Sequence, residues 1–526
     1  MTNDGETGTP TGPENDALDD LVAAEDWAGV VAALDTRWSA LLANEPQLLR
    51  RAITALPPEV LAAHPRWAHA VEYVNRFVQN DAPKSTRFRG TAAAPPPRSL
   101  LDLLAQLTAR AAAGRANGRL SDAVAAVREA RAAVDEATPE AREQLVQALP
   151  ELTFQWAMVW EYVGELDAAV REYTECFDHA VLVDHTMMQA RAAGSLAWLH
   201  ALAGRNLQAR NRLAALPAAA GEWWQTRASI SAVFAQTLLL IDELRFDEAD
   251  RTLAAADLSG VTERWPAQKL LAALLARDAG SALAVLSQID ATAAAQPAEV
   301  QSAGESAGFV ALARWLLFTA LGNRAQARAA VAGLGGDDRS PMGRLALVIE
   351  ASTAAEADDF AAAGRRVAPL TATATAEPRV LVSAFALTAA AQRHDPASTG
   401  ATAATSFALA LELARTHGLL WPLLVLPRGE LAALIAASPA GAVPDALANR
   451  LLDSARDADP DPFAALTPRE RAVLAALLEG RSTAAIAESL FVSPNTVKSQ
   501  LRSIYRKVGV RSRRDLERAA VALGHA

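Results

Sequence analysis

Six basic side chains and no acidic one lie in the stretch SPNTVKSQLRSIYRKVGVRSR, residues 493 to 513, although the 526-residue chain has a formal net charge of -10. Lysine and arginine at this density do the chemistry of anion recognition. They neutralise phosphate oxygens, and on a helix that fits a major groove they donate to guanine O6 and N7. With Val497 set at 0° and about 100° per residue, Leu501, Ile504 and Val508 fall within about 40° of it. Lys498, Arg502, Asn495, Arg506 and Ser499 fall between about 100° and 200°. One side of this helix is built to pack and the other to meet a polyanion. A charged stripe by itself is usually a solvated helix face, so its meaning depends on the elements around it.

Those elements read as four short helices over residues 466 to 523. Thr467, Pro468 and Glu470 form a capping box with proline at the first helical position, and Gly480 closes that helix. A second helix is expected over about 483 to 490. Ser493 caps the third, with Pro494 at its first position and Gly509 past its end, and Ser512 with Asp515 opens the fourth. From Asp461 onward the chain carries +5, which leaves -15 for residues 1 to 460. A helix-turn-helix layout, a cap at every helix start and a basic module behind an acidic body together point to duplex DNA. The candidate DNA-binding residues are Asn495, Thr496, Lys498, Ser499, Arg502, Arg506, Arg513 and Arg514, the last two placed with Arg511 near the fourth helix to neutralise phosphates.

The segments LTPRERAVLAALLEG (466–480) and IAESLFVSPNTVKSQLRSIYRKVGVRSR (486–513) resemble the LuxR-type helix-turn-helix domain of bacterial transcription regulators. The resemblance implies that Lys498, Ser499 and Arg502 lie in the major groove, that residues around Thr496 hold the DNA backbone, and that the fourth helix makes a dimer contact. Two positions depart from the family pattern. Thr483-Ala484 stands where Asn-Lys is common, which removes one basic backbone contact, and Gln500 stands where histidine is frequent. More weakly, LPPEVLAAHPRWAHAV (56–71) and ALALELARTHGLLWPLLVLPRGELAALI (408–435) are similar to the helical-repeat region of the large ATP-binding regulators of the MalT kind. In that group the repeats bind an inducer or a partner protein and an ATPase drives the switch.

The body that must carry this module reads as all-α, because residues 17 to 436 show little period-two alternation and are rich in Ala, Leu, Arg and Glu. A helix, a tight turn and a second helix opening on a polar residue and an alanine recur along it. The turns are NGRLSDAV (117–124), GELDAAV (164–170), GRNLQAR (204–210), LRFDEAD (244–250), GNRAQAR (322–328) and DDFAAAG (358–364), with RDAGSAL (277–283) as a weaker member. Successive turn starts lie roughly 36 to 47 residues apart, except for one longer interval into which RDAGSAL fits; such periods mark an α-solenoid, and the turns are similar to the G-x-x-x-x-A signature of tetratricopeptide repeats. The expected organisation is a disordered tail at 1–16, helical hairpins at 17–80 broken at Pro57-Pro58, a linker or loop at 81–98 and tetratricopeptide-like repeats at 99–436. A second linker at 437–461 follows, then the four-helix module at 462–526, tethered rather than fused.

Other chemistry is thinly represented. The four lysines, Lys84, Lys269, Lys498 and Lys507, are none of them preceded by glycine, so no P-loop can be drawn. One cysteine, Cys176, rules out a disulfide framework and a Cys-based zinc site and suits a reducing cytoplasm, with Cys176 itself expected as buried packing. His64 and His69 are five residues apart, about 140° around a helix, and do not share a face as metal ligands. The eleven tryptophans, Trp223-Trp224 among them, are expected mainly in the repeat core. No apolar run reaches the roughly 18 residues of a membrane-spanning helix. The expectation is a cytoplasmic protein without catalytic residues, metal or cofactor. Its partners are double-stranded DNA, a second copy of the chain on that DNA, and an unknown inducer or partner protein on the repeats. The alternative is a protein-interaction scaffold with a basic module of low sequence specificity.

Overall fold

The computed structural model describes residues 13–78, 96–218, 230–256, 263–296, 298–301, 304–335, 340–372, 377–455, 463, 465–510, 512–523 and 525. Among them every regular element is a helix. The chain divides into two compact units near residue 196.

The first unit opens with Pro13–Ala23, Trp27–Asn44, Pro46–Ala55, Pro58–Ala63 and Pro65–Val78. Pro46 and Pro58 stand at the start of their helices, where the missing N–H is no loss. The helix at Pro13 begins inside the stretch expected to be a tail: proline fixes φ for a first turn, so the helix starts earlier than the polar composition suggests. Residues 1–12, most of the 81–98 linker and Trp223-Trp224 lie outside the described residues. The repeats begin with Leu100–Ala116 paired with Leu120–Asp135, then Leu149–Val163 with Leu166–Leu182.

All six expected turns join two helices, and each puts one residue in the left-handed region. Glycine fills that place at Gly118, Gly164, Gly204 and Gly322, while Leu244 and Asp358 fill it at φ 60 and 61°. The alanine that follows each turn is sealed: Ala123, Ala169, Ala209, Ala249, Ala327 and Ala363 are all buried. A methyl group at that position lets the second helix lie close against the first, as a larger side chain would not. Trp156 and Trp198 are fully buried, as expected of repeat-core tryptophans. Cys176 is also buried, its thiol donates to the Pro150 carbonyl, and burial pushes its pKa up to about 12.

In the second unit a buried ion pair ties distant repeats together. Asp242, fully buried at the end of Ile230–Asp242, receives Arg379 Nη1 and Nη2 at 2.6 and 2.7 Å and Asn206 Nδ2 at 3.1 Å. The same guanidinium donates to the carbonyls of Ala201 and Leu202. Gly204 makes room for this, since a Cβ there would stand 2.7 Å from the Arg379 backbone nitrogen. Burial pushes the Asp242 carboxyl upward, and Arg379 and Asn206 oppose that push.

The stretch 437–461 is not wholly a linker. It contains the helix Asp445–Ser454, whose Leu451 is fully buried in the core that Phe407, Leu423 and Leu431 also fill. Its apolar positions Leu447 and Leu451 are one turn apart, a short stripe hidden in the sequence between Pro- and Asp-rich flanks.

Removing Arg379 leaves a carboxylate buried without its cation, so Arg379→Ala should cost about 3–5 kcal/mol of stability. Denaturant unfolding followed by circular dichroism checks this; a midpoint equal to the wild type's would show that the pair carries no weight.

Candidate nucleic-acid interface

The C-terminal module folds as Pro468–Leu478, Thr483–Ser489, Pro494–Val508 and Arg513–Leu523. The capping box at its start forms as read: the Thr467 hydroxyl accepts from the Glu470 N–H, and Glu470 accepts from the Thr467 N–H at 2.8 Å. Ser482, Ser493 and Ser512 each accept from a backbone N–H three residues on. Gly509, at φ 75°, ends the third helix. Between the second and third helices Phe491 takes φ 51° and is 96% exposed.

Val497, Leu501, Ile504 and Val508 are buried against Val473, Leu474, Leu477 and Ile486 of the first two helices and Leu516 of the fourth. With that stripe fixed inward, the opposite side has only solvent to face. Asn495, Lys498, Ser499, Arg502 and Arg506 are all exposed, and Thr496 is half-buried with its backbone N–H held by Ser493.

Two cations of the cluster are used internally. Lys507 Nζ lies 2.6 Å from Glu470 Oε2, joining the third helix to the capping box of the first. Arg513, placed by sequence with the phosphate-facing set, donates to the carbonyls of Leu477 and Arg481 and to Glu517. Its guanidinium thus ties the fourth helix to the C-terminal end of the first helix and the turn that follows it. Arg514 is exposed, and Arg511 lies outside the described residues.

The module is also seated on the body rather than only tethered. Leu283, on the helix Ala279–Ala294, packs against the module's core, and Leu523 of the fourth helix packs against the core beneath that repeat helix. Arg518 donates to the Ser287 hydroxyl. At Gly280 the two backbones meet so closely that a Cβ would stand 2.9 Å from the Gly509 carbonyl oxygen. The sequence carries one trace of this seam, at Gly280 but not at Leu283, Ser287 or Arg518: RDAGSAL places glycine where the other repeat turns place serine, aspartate, leucine or alanine.

A family model described as bacterial regulatory proteins, luxR family, matches residues 464–520. The nitrate/nitrite response regulator protein NarP of Escherichia coli (strain K12) is 48% identical over 56 residues, which is 11% of this chain and 26% of that protein. The probable transcriptional regulatory protein SgaR of Hyphomicrobium methylovorum is 47% identical over 53 residues, 10% of this chain and 25% of that protein. The chain thus spans about a quarter of the length of each of these relatives. Residues 464–520 are a luxR-family helix-turn-helix domain, and the repeats in front of it lie outside what these relatives share.

Lys507 and the capping-box N–H hold the Glu470 carboxyl at about 2, below its ordinary 4.5. Because the folded value lies below the unfolded one, the stabilisation is complete above about 4.5 and disappears as pH falls through about 2. Hydrogen exchange of residues 494–508, corrected for intrinsic rates, should show protection falling across that window in the wild type. Glu470→Gln should have less protection at neutral pH and a flatter acid response; an unchanged profile would remove Glu470 from the module's stability.

Proposed function

We propose that the protein is a DNA-binding transcription regulator that binds duplex DNA as a homodimer and whose helical-repeat body senses a ligand or partner protein and controls the helix-turn-helix domain. The observation that carries this reading is the division of the third helix: a buried apolar side and an exposed side bearing Lys498, Ser499 and Arg502. The major groove admits one such helix, and side chains near its N-terminal end reach base edges. Lys498 and Arg502 are assigned to guanine acceptors, Ser499 and Asn495 to neighbouring edges, and Thr496, Arg506 and Arg514 to phosphates and their surroundings. Arg513 acts through the fold, by fixing the start of the fourth helix.

The contact with Ala279–Ala294 supports a particular form of control. The body leaves the groove-facing side open and engages the fourth helix through Arg518 and Leu523. Dimerisation through the fourth helix, which the LuxR-type resemblance implies, then competes with the body for the same element. A signal that loosens this seam raises the population of dimer-competent modules, and the size of the shift is bounded by the signal's differential affinity for the two states.

Binding to promoter DNA and to random DNA, measured across salt concentrations, tests the first part. Arg502→Ala should lose about 1–3 kcal/mol of discrimination between the two, whereas Arg514→Ala should weaken both alike and reduce the salt slope by about 1. Equal affinity of the wild type for both DNAs would favour the scaffold reading instead. For the second part, Gly280→Leu forces a side chain into the Gly509 carbonyl and should release the module, giving tighter DNA binding and more dimer in sedimentation. Weaker or unchanged binding would mean that the seam does not restrain the domain.

A further inference from the structure

Within the first unit the helices Trp27–Asn44, Pro65–Val78, Leu100–Ala116 and Leu149–Val163 and the turn before Thr186–Leu202 enclose a cleft of about 1000 Å³. That volume lies at the upper end of the range of small-molecule sites. Nothing in the helix-turn-helix chemistry uses it. From its geometry we infer that this cleft is the ligand-binding site of the body, and that it takes an uncharged, ring-containing small molecule bearing a carbonyl or hydroxyl oxygen. The inference rests on the proposed sensory role of the repeats and gives it a place and a chemical class.

Three features of the lining decide the class. The first is apolar shape. Ala105, Ala109 and Ala112 run along one side of Leu100–Ala116, and their small side chains create the space. Trp38 and Trp67 stand beside it with ring centroids 5.4 Å apart and planes tilted by 37°. Indole faces and alanine methyls are a surface for a flat or ring-bearing apolar body.

The second is an unmet demand for acceptors. The Trp67 side chain is buried, and its Nε1 has no hydrogen-bond partner among the described residues. The neighbouring Arg66 Nε is in the same condition, although Nη2 of that guanidinium pairs with Asp35 and its Cζ lies 5.0 Å from the Trp67 ring centroid. Two adjacent buried donors without acceptors carry a desolvation cost that an oxygen of a bound molecule would relieve.

The third is charge. The one cation of the arginine is already neutralised by Asp35. Glu151, a half-buried carboxylate of the lining, already accepts from Trp38 Nε1, lies 3.5 Å from the Ser39 hydroxyl, and is 3.2 Å from His185 Nε2. Burial pushes the His69 pKa down, with Asp102 opposing, so that imidazole adds no positive charge at neutral pH. Among the described lining residues an anion would find no unpaired arginine or lysine and would meet Glu151 and Asp184; a cation would find the Glu151 carboxylate occupied. An uncharged molecule escapes both penalties.

Nile red, an uncharged ring system with a carbonyl oxygen, is the probe, and its emission rises on entering an apolar site. Titrated into the full chain, it should bind saturably at one site per chain. Ala109→Trp, which fills the cleft, should abolish the signal, and Trp67→Phe, which keeps a ring but removes the N–H, should weaken binding about fivefold, the loss of one hydrogen bond. Both variants should melt as the wild type does by circular dichroism. The inference is overturned if neither substitution changes Nile red binding. It is also overturned if anionic 8-anilinonaphthalene-1-sulfonate or cationic thioflavin T binds in an Ala109→Trp-sensitive way while Nile red does not. Affinity for promoter DNA with the probe bound separates the two levels: cleft-specific binding without any change in DNA affinity would leave the site standing and sink the sensory role of the body.

Discussion

A four-residue apolar stripe governs the C-terminal module. Val497, Leu501, Ile504 and Val508 have no stable place except against the first two helices and the fourth, and once they are buried the rotation of the third helix is settled. Lys498, Arg502 and Arg506 then point outward because the geometry leaves them no alternative, not because anything attracts them. Burial of such a stripe is worth on the order of 1.5–3 kcal/mol per large side chain, far more than the desolvation of exposed arginines could oppose. The polar groups that finish the module depend on this packing: Lys507 reaches Glu470, and Arg513 reaches the Leu477 and Arg481 carbonyls, only when the third and fourth helices are seated.

The repeats use a different constraint, that of close approach. Each hairpin needs a left-handed residue to turn and a small residue to let the second helix in. Where glycine is absent, at Leu244 and Asp358, the chain accepts an unfavourable backbone conformation to keep the turn. The same economy of side-chain size makes the seam with the module, where Gly280 meets the Gly509 carbonyl, and the cleft of the first unit, where three alanines leave room that larger residues would fill. Small residues here serve packing in most repeats, and open a space in one.

In the proposed function, reading and restraint use different sides of one small domain. The groove-facing side of the third helix stays exposed, while the fourth helix is held by a repeat helix. In the proposed mode of control, which acts through the fourth helix, the residues assigned to base edges carry no second role, so their types can be set by DNA alone. The same proposal makes the restraint sensitive to modest shifts in the repeats, since the seam includes a close backbone approach, the Arg518–Ser287 hydrogen bond and the packing of Leu283 and Leu523.

Local rules made much of this legible from sequence. The capping box at Thr467 and Glu470, the serine caps, the six repeat turns and the two faces of the third helix all depend on residues within a turn or two of each other, and each is where periodicity and cap chemistry place it. The helix at Asp445–Ser454 was hidden because a two-leucine stripe between Pro- and Asp-rich flanks resembles a linker until a core is present to receive Leu451. What depends on side chains brought together from far apart in the chain was decided only by tertiary structure. Arg513 reaches carbonyls at the end of the first helix and beyond it, Arg379 finds Asp242, the module is seated on Ala279–Ala294, and Trp38, Trp67 and Glu151 line one cleft. Periodicity says which face of a helix is apolar, but not which other helix covers it, and that partner determines where the charges and the empty space are left.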